Sequence, residues 1–490
     1  MIRRISWILL VFLASTNLIK AQNLPALNYK KAYEVPDSAV FFTINDFFQI
    51  VLGNHPVIKQ ANIQTEKARQ ILRSARGQFD PKLEAQWDVK EFEGKDYYNT
   101  LNAGLKVPVW VPIDLKAGLD QNTGLFLNPE RSIPDANENR QLFLGLAIPI
   151  GKGLFIDERR ATVKQAMVFQ SIAEAEQTKM VNKIIFQATK DYYNWYNAYF
   201  YLRFLEQSIQ IANQIFSRVL IDFEFGEAAA IDTVQAQITI QNRQIELHQA
   251  KIDYTNASLM LSNHLWTPNE LPLELTENSL PPRLTDVPQT VDESLYVDLV
   301  KMAEENHPEI VKLQGKIEQL NVQRSLAREN LKPQLDLSYT FIDEPINSLG
   351  ESSAFQLDEN YKLGLDFSIP IFLRKERGKL KETNLKIRES EYDVQLTTRN
   401  LINGITAVFQ ELNQLTLMIA QLNAVVNNYE RMVQAELFNL QNGESDLFKI
   451  NFQQEKLISA QLKYLKIRTY YEKMLAELYY TAGLAISDNQ

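Results

Sequence analysis

Two kinds of hydrophobic periodicity run through this chain. Between 228 and 266, Ile231, Ile238, Ile245, Ile252, Leu259 and Trp266 recur every seven residues, the spacing of a coiled-coil seam. Ile240, Leu247, Tyr254 and Leu261 share that period, displaced by two positions. At about 100° per residue, the second stripe lies on roughly the opposite flank of the same helix. Between the stripes, one face carries Thr239, Glu246 and Asp253; the other carries Gln237, Gln241, Gln244, His248 and Lys251. A bundle helix has one apolar face, and a buried helix is apolar all round. Two narrow stripes between two wet faces predict a neighbour on each side and water inside and outside, the wall of a helical tube. A layered coiled-coil rod would also use the seam, but it gives no purpose to the strands described next.

The second periodicity is two. Leu335, Leu337, Tyr339 and Phe341 alternate with Gln334, Asp336, Ser338 and Thr340. Tyr361, Leu363, Leu365, Phe367 and Ile369 alternate with Lys362, Gly364, Asp366 and Ser368. Earlier, Leu83, Ala85, Trp87 and Val89 alternate with Glu84, Gln86, Asp88 and Lys90. Eight to ten such residues suit a membrane barrel strand, with lipid on one face and water on the other. An ordinary soluble sheet is the alternative.

Proline placement divides these regions. All 18 prolines fall in 25–149 or 268–370, so 150–267 and 371–490 are free to form long helices. Asp157–Asp222 and Arg374–Gln441 predict helices of 66 and 68 residues, about 100 Å each at about 1.5 Å per residue. Shorter segments, Pro56–Phe79 with Ala228–Leu265 and Pro308–Leu331 with Glu444–Ala482, sum to 62 and 63 residues. Stacked end to end, each pair matches one long helix, which predicts four columns of equal height. Gly226 and Gly443 mark the hairpin turns.

The two halves are copies. Asn54-His55-Pro56 recurs as Asn306-His307-Pro308, Pro81-Lys82-Leu83 as Pro333-Gln334-Leu335, Ile148-Pro149-Ile150 as Ile369-Pro370-Ile371, and Gly226-Glu227 as Gly443-Glu444. The offset falls from 252 to 221 between the second and third of these, which places about thirty extra residues between Leu83 and Ile148 of the first half. Thr43-x-x-Asp46 and Thr290-x-x-Glu293 read as capping boxes opening the first helix of each half. The expected organisation is a signal segment over 1–21, a first repeat over 22–266 with strands in about 82–150 and a helical hairpin over 154–266, a Pro-rich linker over 267–290, and a second repeat over 291–490 with strands in about 334–370 and a hairpin over 373–483. The fold class is mostly α with a β-barrel part, in a duplicated helix–strand–strand–long helix–helix unit. Four clear strands cannot close a barrel, for which about eight is the practical minimum, and open edges are forbidden in lipid. Chains must therefore assemble.

Composition narrows the function. With 51 basic and 60 acidic residues the net charge is −9, against a nucleic-acid binder. No cysteine is present, so disulfides, thiolate metal sites and lipid attachment at cysteine are excluded. Arg3 and Arg4 before the apolar run Ile5–Leu13, with Ala21 as a cleavage position, read as a secretory signal. Gly151-Lys152-Gly153 lacks the glycine and the Ser/Thr of a phosphate loop. The aromatic run Tyr192–Tyr201 reads as packing between columns, and His55 and His307 as helix-start residues. No nucleophile, paired-carboxylate, metal or cofactor pattern is present, so no catalytic, cofactor or metal residue is assigned and the chain is not expected to be an enzyme.

These features together resemble the TolC family of outer-membrane efflux channels, over essentially the whole mature chain. The resemblance is carried by the duplicated Asn-x-Pro starts, the strand-opening Pro81 and Pro333, the Ile-Pro-Ile triplets, and the turn Phe225-Gly226-x5-Asp232-x3-Ala236. It implies a homotrimer with a 12-strand barrel in outer-membrane lipid and a 12-column helical tunnel in the periplasm. It further implies docking to a periplasmic adaptor (membrane fusion) protein and an inner-membrane transporter, the chain serving as passive exit duct of a tripartite efflux or type I secretion system. The first-half insert departs from the pattern, and Asn99–Val107 with Ile113–Gln121 can add a hairpin. On the resemblance, Gly226, Glu227, Gly443, Glu444, Ser445 and Asp446 form the periplasmic tip facing the adaptor. Asp232 matches an acidic member of the family's entrance closure. Ser445 and Leu440 stand where its basic and aromatic partners would be, and Lys449 and Phe452 replace acidic constriction residues. The closing chemistry must therefore differ, and Asp232 is expected to pair with Lys449, six past its own glycine. A periplasmic coiled-coil structural or adaptor protein is the alternative function.

Overall fold

A computed structural model describes residues 40–127, 140–276, 278–284, 287–343, 360–442 and 444–485. The expected signal segment and the Gly443 turn lie outside the described residues. In chain order the elements are β1 (Val40–Phe41), α1 (Ile44–Asn54), α2 (Pro56–Arg76), β2 (Lys82–Phe92), β3 (Lys95–Pro108), β4 (Asp114–Thr123), β5 (Arg140–Pro149), α3 (Glu158–Glu224) and α4 (Ala230–Ser262). There follow β6 (Ser279–Leu280), α5 (Glu293–Asn306), α6 (Pro308–Glu329), β7 (Gln334–Asp343), β8 (Tyr361–Ser368), α7 (Arg374–Gln441) and α8 (Leu447–Thr481).

Helix boundaries follow capping chemistry. Thr43 and Asp46 form a reciprocal box at α1: the Asp46 N–H donates to Thr43 Oγ1 at 3.2 Å and the Thr43 N–H to Asp46 Oδ2 at 3.1 Å. The corresponding box expected at Thr290 does not form. Asp292 caps α5 instead, accepting the Ser294 N–H at 3.3 Å, so Glu293 is the first helical residue. Asp292 lies one residue from the helix, and its short carboxylate reaches the free N–H groups that Thr290 is too far back to meet.

The long helices pack side by side into a wall. α3 is flanked by α2 and α4 on one side and by α6 and α8 on the other, and α7 packs against α6 and α8. The order across the wall is α2/α4, α3, α6/α8, α7, with α1 and α5 laid against it at mid-height. Aromatic packing concentrates there. Tyr192, Trp195 and Tyr196 of α3 are buried with Phe47 and Phe48 of α1, which accounts for the aromatic run as core.

The sheet order is β2-β3-β4-β5-β7-β8, antiparallel throughout. The first-half insert is thus an additional hairpin, β3–β4, and among the described residues each chain supplies six strands to this sheet rather than four. Its lower turn is fastened to the helices: Trp110 packs on Phe79 at 5.3 Å, and Arg159 Nη1 of α3 meets Asp114 Oδ1 at 3.0 Å. The β2–β3 turn places Glu93 and Gly94 at φ 53° and 70°, the paired left-handed conformation of a tight hairpin.

Candidate functional site

Toward the helical end of the sheet, neighbouring ladder rows differ sharply in chemistry. One row runs Leu83, Leu105, Ala117, Leu144, Phe341, Tyr361 across all six strands. The adjacent row on the other face runs Lys82, Lys106, Lys116, Gly145, Thr340, Lys362. Leu83, Trp87, Leu363, Leu365 and Phe367 are all more than half exposed, so the apolar face is uncovered by the chain itself. Exposed apolar area of this extent requires lipid or a partner. Its opposite face bears Glu84, Asp120 and the lysines around a depression of about 260 Å³. The hollow exists because Gly104 and Gly118 face each other under the Phe143 ring. A Cβ on Gly118 would stand 2.3 Å from the Ala103 carbonyl and 2.6 Å from Phe143 Cζ.

The helical wall has the same open character at its edges. Ile240 and Leu261 of α4 are buried, the stripe turned toward α3. Ile231, Ile238, Ile245, Ile252 and Leu259, the other stripe, are each at least half exposed. On the opposite edge column, α7 exposes Met418, Val425 and Met432 at the same seven-residue spacing. Both outer columns therefore carry unfilled seams.

The turn after α3 reverses the chain through Gly226 at φ 75°. Glu227, Glu444 and Asp446 are exposed beside it or at the start of α8, and Ser445 Oγ donates to Glu436 of α7. Asp232 sits in the first turn of α4, its Oδ2 accepting the Ala229 N–H at 3.0 Å. Lys449 sits in the first turn of α8, its Nζ 3.5 Å from Asp446 Oδ2. Among the described residues of one chain, no ion pair joins Asp232 to Lys449. An ion pair from α4 to α8 does join Arg243 Nη2 to Glu455 Oε1 at 3.6 Å, a link that sequence reasoning missed because neither residue belongs to a repeated motif. Eleven residues separate Asp232 from Arg243 and six separate Lys449 from Glu455. On that register Lys449 stands about 7 Å higher than Asp232, at about 1.5 Å per residue.

The duplicated Asn-His-Pro motif marks the joints between stacked helices. His55 Nδ1 accepts the Val57 N–H at 3.1 Å and His307 Nδ1 the Glu309 N–H at 3.1 Å, each capping a helix that opens on proline. The His55 ring lies 5.7 Å from that of His264, just past the end of α4, so α2 stacks on α4 here. His264 Nε2 is 2.8 Å from Asp191 Oδ2 of α3. In the second half, His307 lies against Gly483 just past α8, where an added Cβ would come within 2.7 Å of the ring. Burial, aided by nearby His264, pushes His55 down to about 4, and burial likewise lowers His307. No group of three described His, Asp or Glu side chains is arranged to hold a metal. Nor is any described helix long and apolar enough to cross a membrane.

Residues 299–484 match the family model described as outer membrane efflux protein. Among solved structures, the chain is similar to the CmeC outer membrane channel of Campylobacter jejuni, with 16% identity, TM-score 0.61, and 90% of this chain and 85% of that one covered. It is similar to VceC of Vibrio cholerae at 15% identity and TM-score 0.61, covering 90% and 96%. The open MtrE outer membrane channel of Neisseria gonorrhoeae gives 14% identity and TM-score 0.62, covering 90% and 89%. No curated protein matches the chain in sequence.

Proposed function

Residues 299–484 match the outer membrane efflux protein family, and from that match we propose that the chain is a member and that three copies close into a passive duct through which solutes leave the cell. It is an outer-membrane channel whose helical tunnel stands in the periplasm. The observation that supports the assembled duct is a coincidence of edges. The helical wall ends at α2/α4 and α7, and the sheet ends at β2, which follows α2, and β8, which precedes α7. Sheet and wall are thus open at the same two boundaries. A head-to-tail ring of copies fills both, and such heterologous contacts close when the rotation permits. Conductance in planar bilayers, with fractionation to the outer membrane, tests the duct. A protein that inserts there as a monomer would overturn it, and an SDS-sensitive trimer in detergent is the expected form.

The tip formed by Gly226, Glu227, Glu444, Ser445 and Asp446 faces the adaptor (membrane fusion) protein of a tripartite assembly, with an inner-membrane transporter supplying the energy. Acidic residues at these helix starts also favour their own helices. Loss of adaptor cross-linking on replacing Glu227 and Glu444 by Gln, with trimers retained, is the result expected. At the entrance, Asp232 and Lys449 form the closing pair, the long lysine side chain crossing the step between their levels. Single-channel recordings of Asp232→Ala, Lys449→Ala and the double variant test this. A shared link predicts larger openings in each single variant and little further gain in the double; simple additivity rejects it.

A further inference from the structure

We propose that the β3–β4 hairpin widens the membrane exit to the full bore of the helical tube, through a ring in which β2 of one copy pairs with β8 of the next. This rests on the duct described above and adds a statement about its width. The ladder row that leaves β2 at its first residue, Lys82, reaches β8 at Lys362, six residues before that strand ends at Ser368. Over five strand-to-strand steps, about 24 Å, the sheet therefore climbs about 20 Å, a strand tilt near 40°. Barrels close at tilts of about 35–45°, so one chain already has the stagger of a barrel segment.

Width follows from the same geometry. Strands about 4.8 Å apart and tilted by about 40° each take about 6.3 Å of circumference, so six take about 38 Å. Four helical columns packed at about 8–10 Å take about 32–40 Å. The two arcs agree, and they agree for any number of copies. Without β3 and β4 the sheet would span about 25 Å, and the duct would narrow by about a third where it enters lipid. With three copies the barrel has 18 strands, a size at which an aqueous channel remains open. The hairpin is built in as part of the wall: its lower turn is held by Trp110 on Phe79 and by Asp114 on Arg159, and it pairs in unbroken register with β2 from Lys82 to Lys90 and with β5 along its other edge. Six is also an even number, so β2 and β8 run in opposite senses and meet antiparallel between copies.

The absence of cysteine makes the closing pair directly testable. With strand ends level, Leu83 of one copy lies opposite Phe367 of the next. Leu83→Cys with Phe367→Cys, oxidised in outer membranes, is expected to give covalent dimers and trimers. Leu83→Cys with Leu363→Cys, four residues out of register, should give none. No cross-link with Phe367, Leu365 or Ile369 as partner would overturn the closure. Width is read by polyethylene glycols of graded size added from the extracellular side, scoring the largest that still lowers conductance. Deleting Gly94–Thr123, which joins Glu93 to Gly124, should lower the limiting radius by about a third. An unchanged limit in that variant would overturn the widening. If the shortened chain does not assemble, the cross-linking result still decides the six-strand closure. Absence of any current from the intact protein would instead defeat the duct itself.

Discussion

His55 and His307 show how much a single side chain settles. Each is a helix cap and a joint between two stacked helices, and each must be neutral to be buried there. For His55, whose folded pKa is about 4 against an ordinary 6.5, the unfolded chain binds the extra proton first as pH falls. Its contribution to stability is complete above about pH 6.5 and is lost progressively down to about pH 4. Thermal midpoints in detergent should fall across that interval, and His55→Asn, which keeps an acceptor at the cap, should flatten the fall. The motif was legible as a helix start because proline and its spacing say so. The joint was not, because His264 lies on a distant segment and leaves no periodic trace. Gly226 was fully legible. Its φ of 75° has open space around it, so Gly226→Val should cost about 1–2 kcal/mol of backbone strain alone. Gly226→Asn should retain conductance in planar bilayers where the valine variant loses it.

At the scale of elements, period explains what could be read and what could not. α7 begins and ends where the sequence places it, Arg374–Gln441, because Pro370 bounds it on one side and Gly443 on the other. The β3–β4 hairpin was readable only as an option. Its inner row alternates through Gly104, Asn102 and Gly118, residues that suit a loop as well as a water-facing strand, and only pairing with β2 and β5 decides between them. The capping box at Thr290 failed for a related reason: Asp292 offers the same chemistry closer to the helix. On α4, the exposed stripe gives a sharp expectation. Ile238→Asp with Ile245→Asp leaves the buried stripe intact, so each chain should fold and keep its helical circular dichroism. Filling that seam would stabilise the ring by about 1–2 kcal/mol for each of these half-exposed isoleucines. Mass measurement in detergent should therefore show monomers where the parent chain gives trimers.

For the whole molecule, the four columns of matched height were legible from segment lengths, while the circumference depended on the strand count and so waited for the sheet. An intact duct should run as a trimer in mild detergent and as a monomer once SDS is added, which native gel migration with and without SDS will show. The open edges carry a genetic consequence as well. Each copy offers two unlike edges, α4 with β2 and α7 with β8, and a ring is complete only when every junction is sound. A copy spoiled at one edge still binds through the other and occupies a place that it cannot pass on. Expressed equally with its parent, such a variant should leave roughly one ring in eight wholly sound, if copies mix freely in threes. Alleles that damage one seam should therefore be dominant over the normal gene, whereas alleles that prevent folding altogether should be recessive.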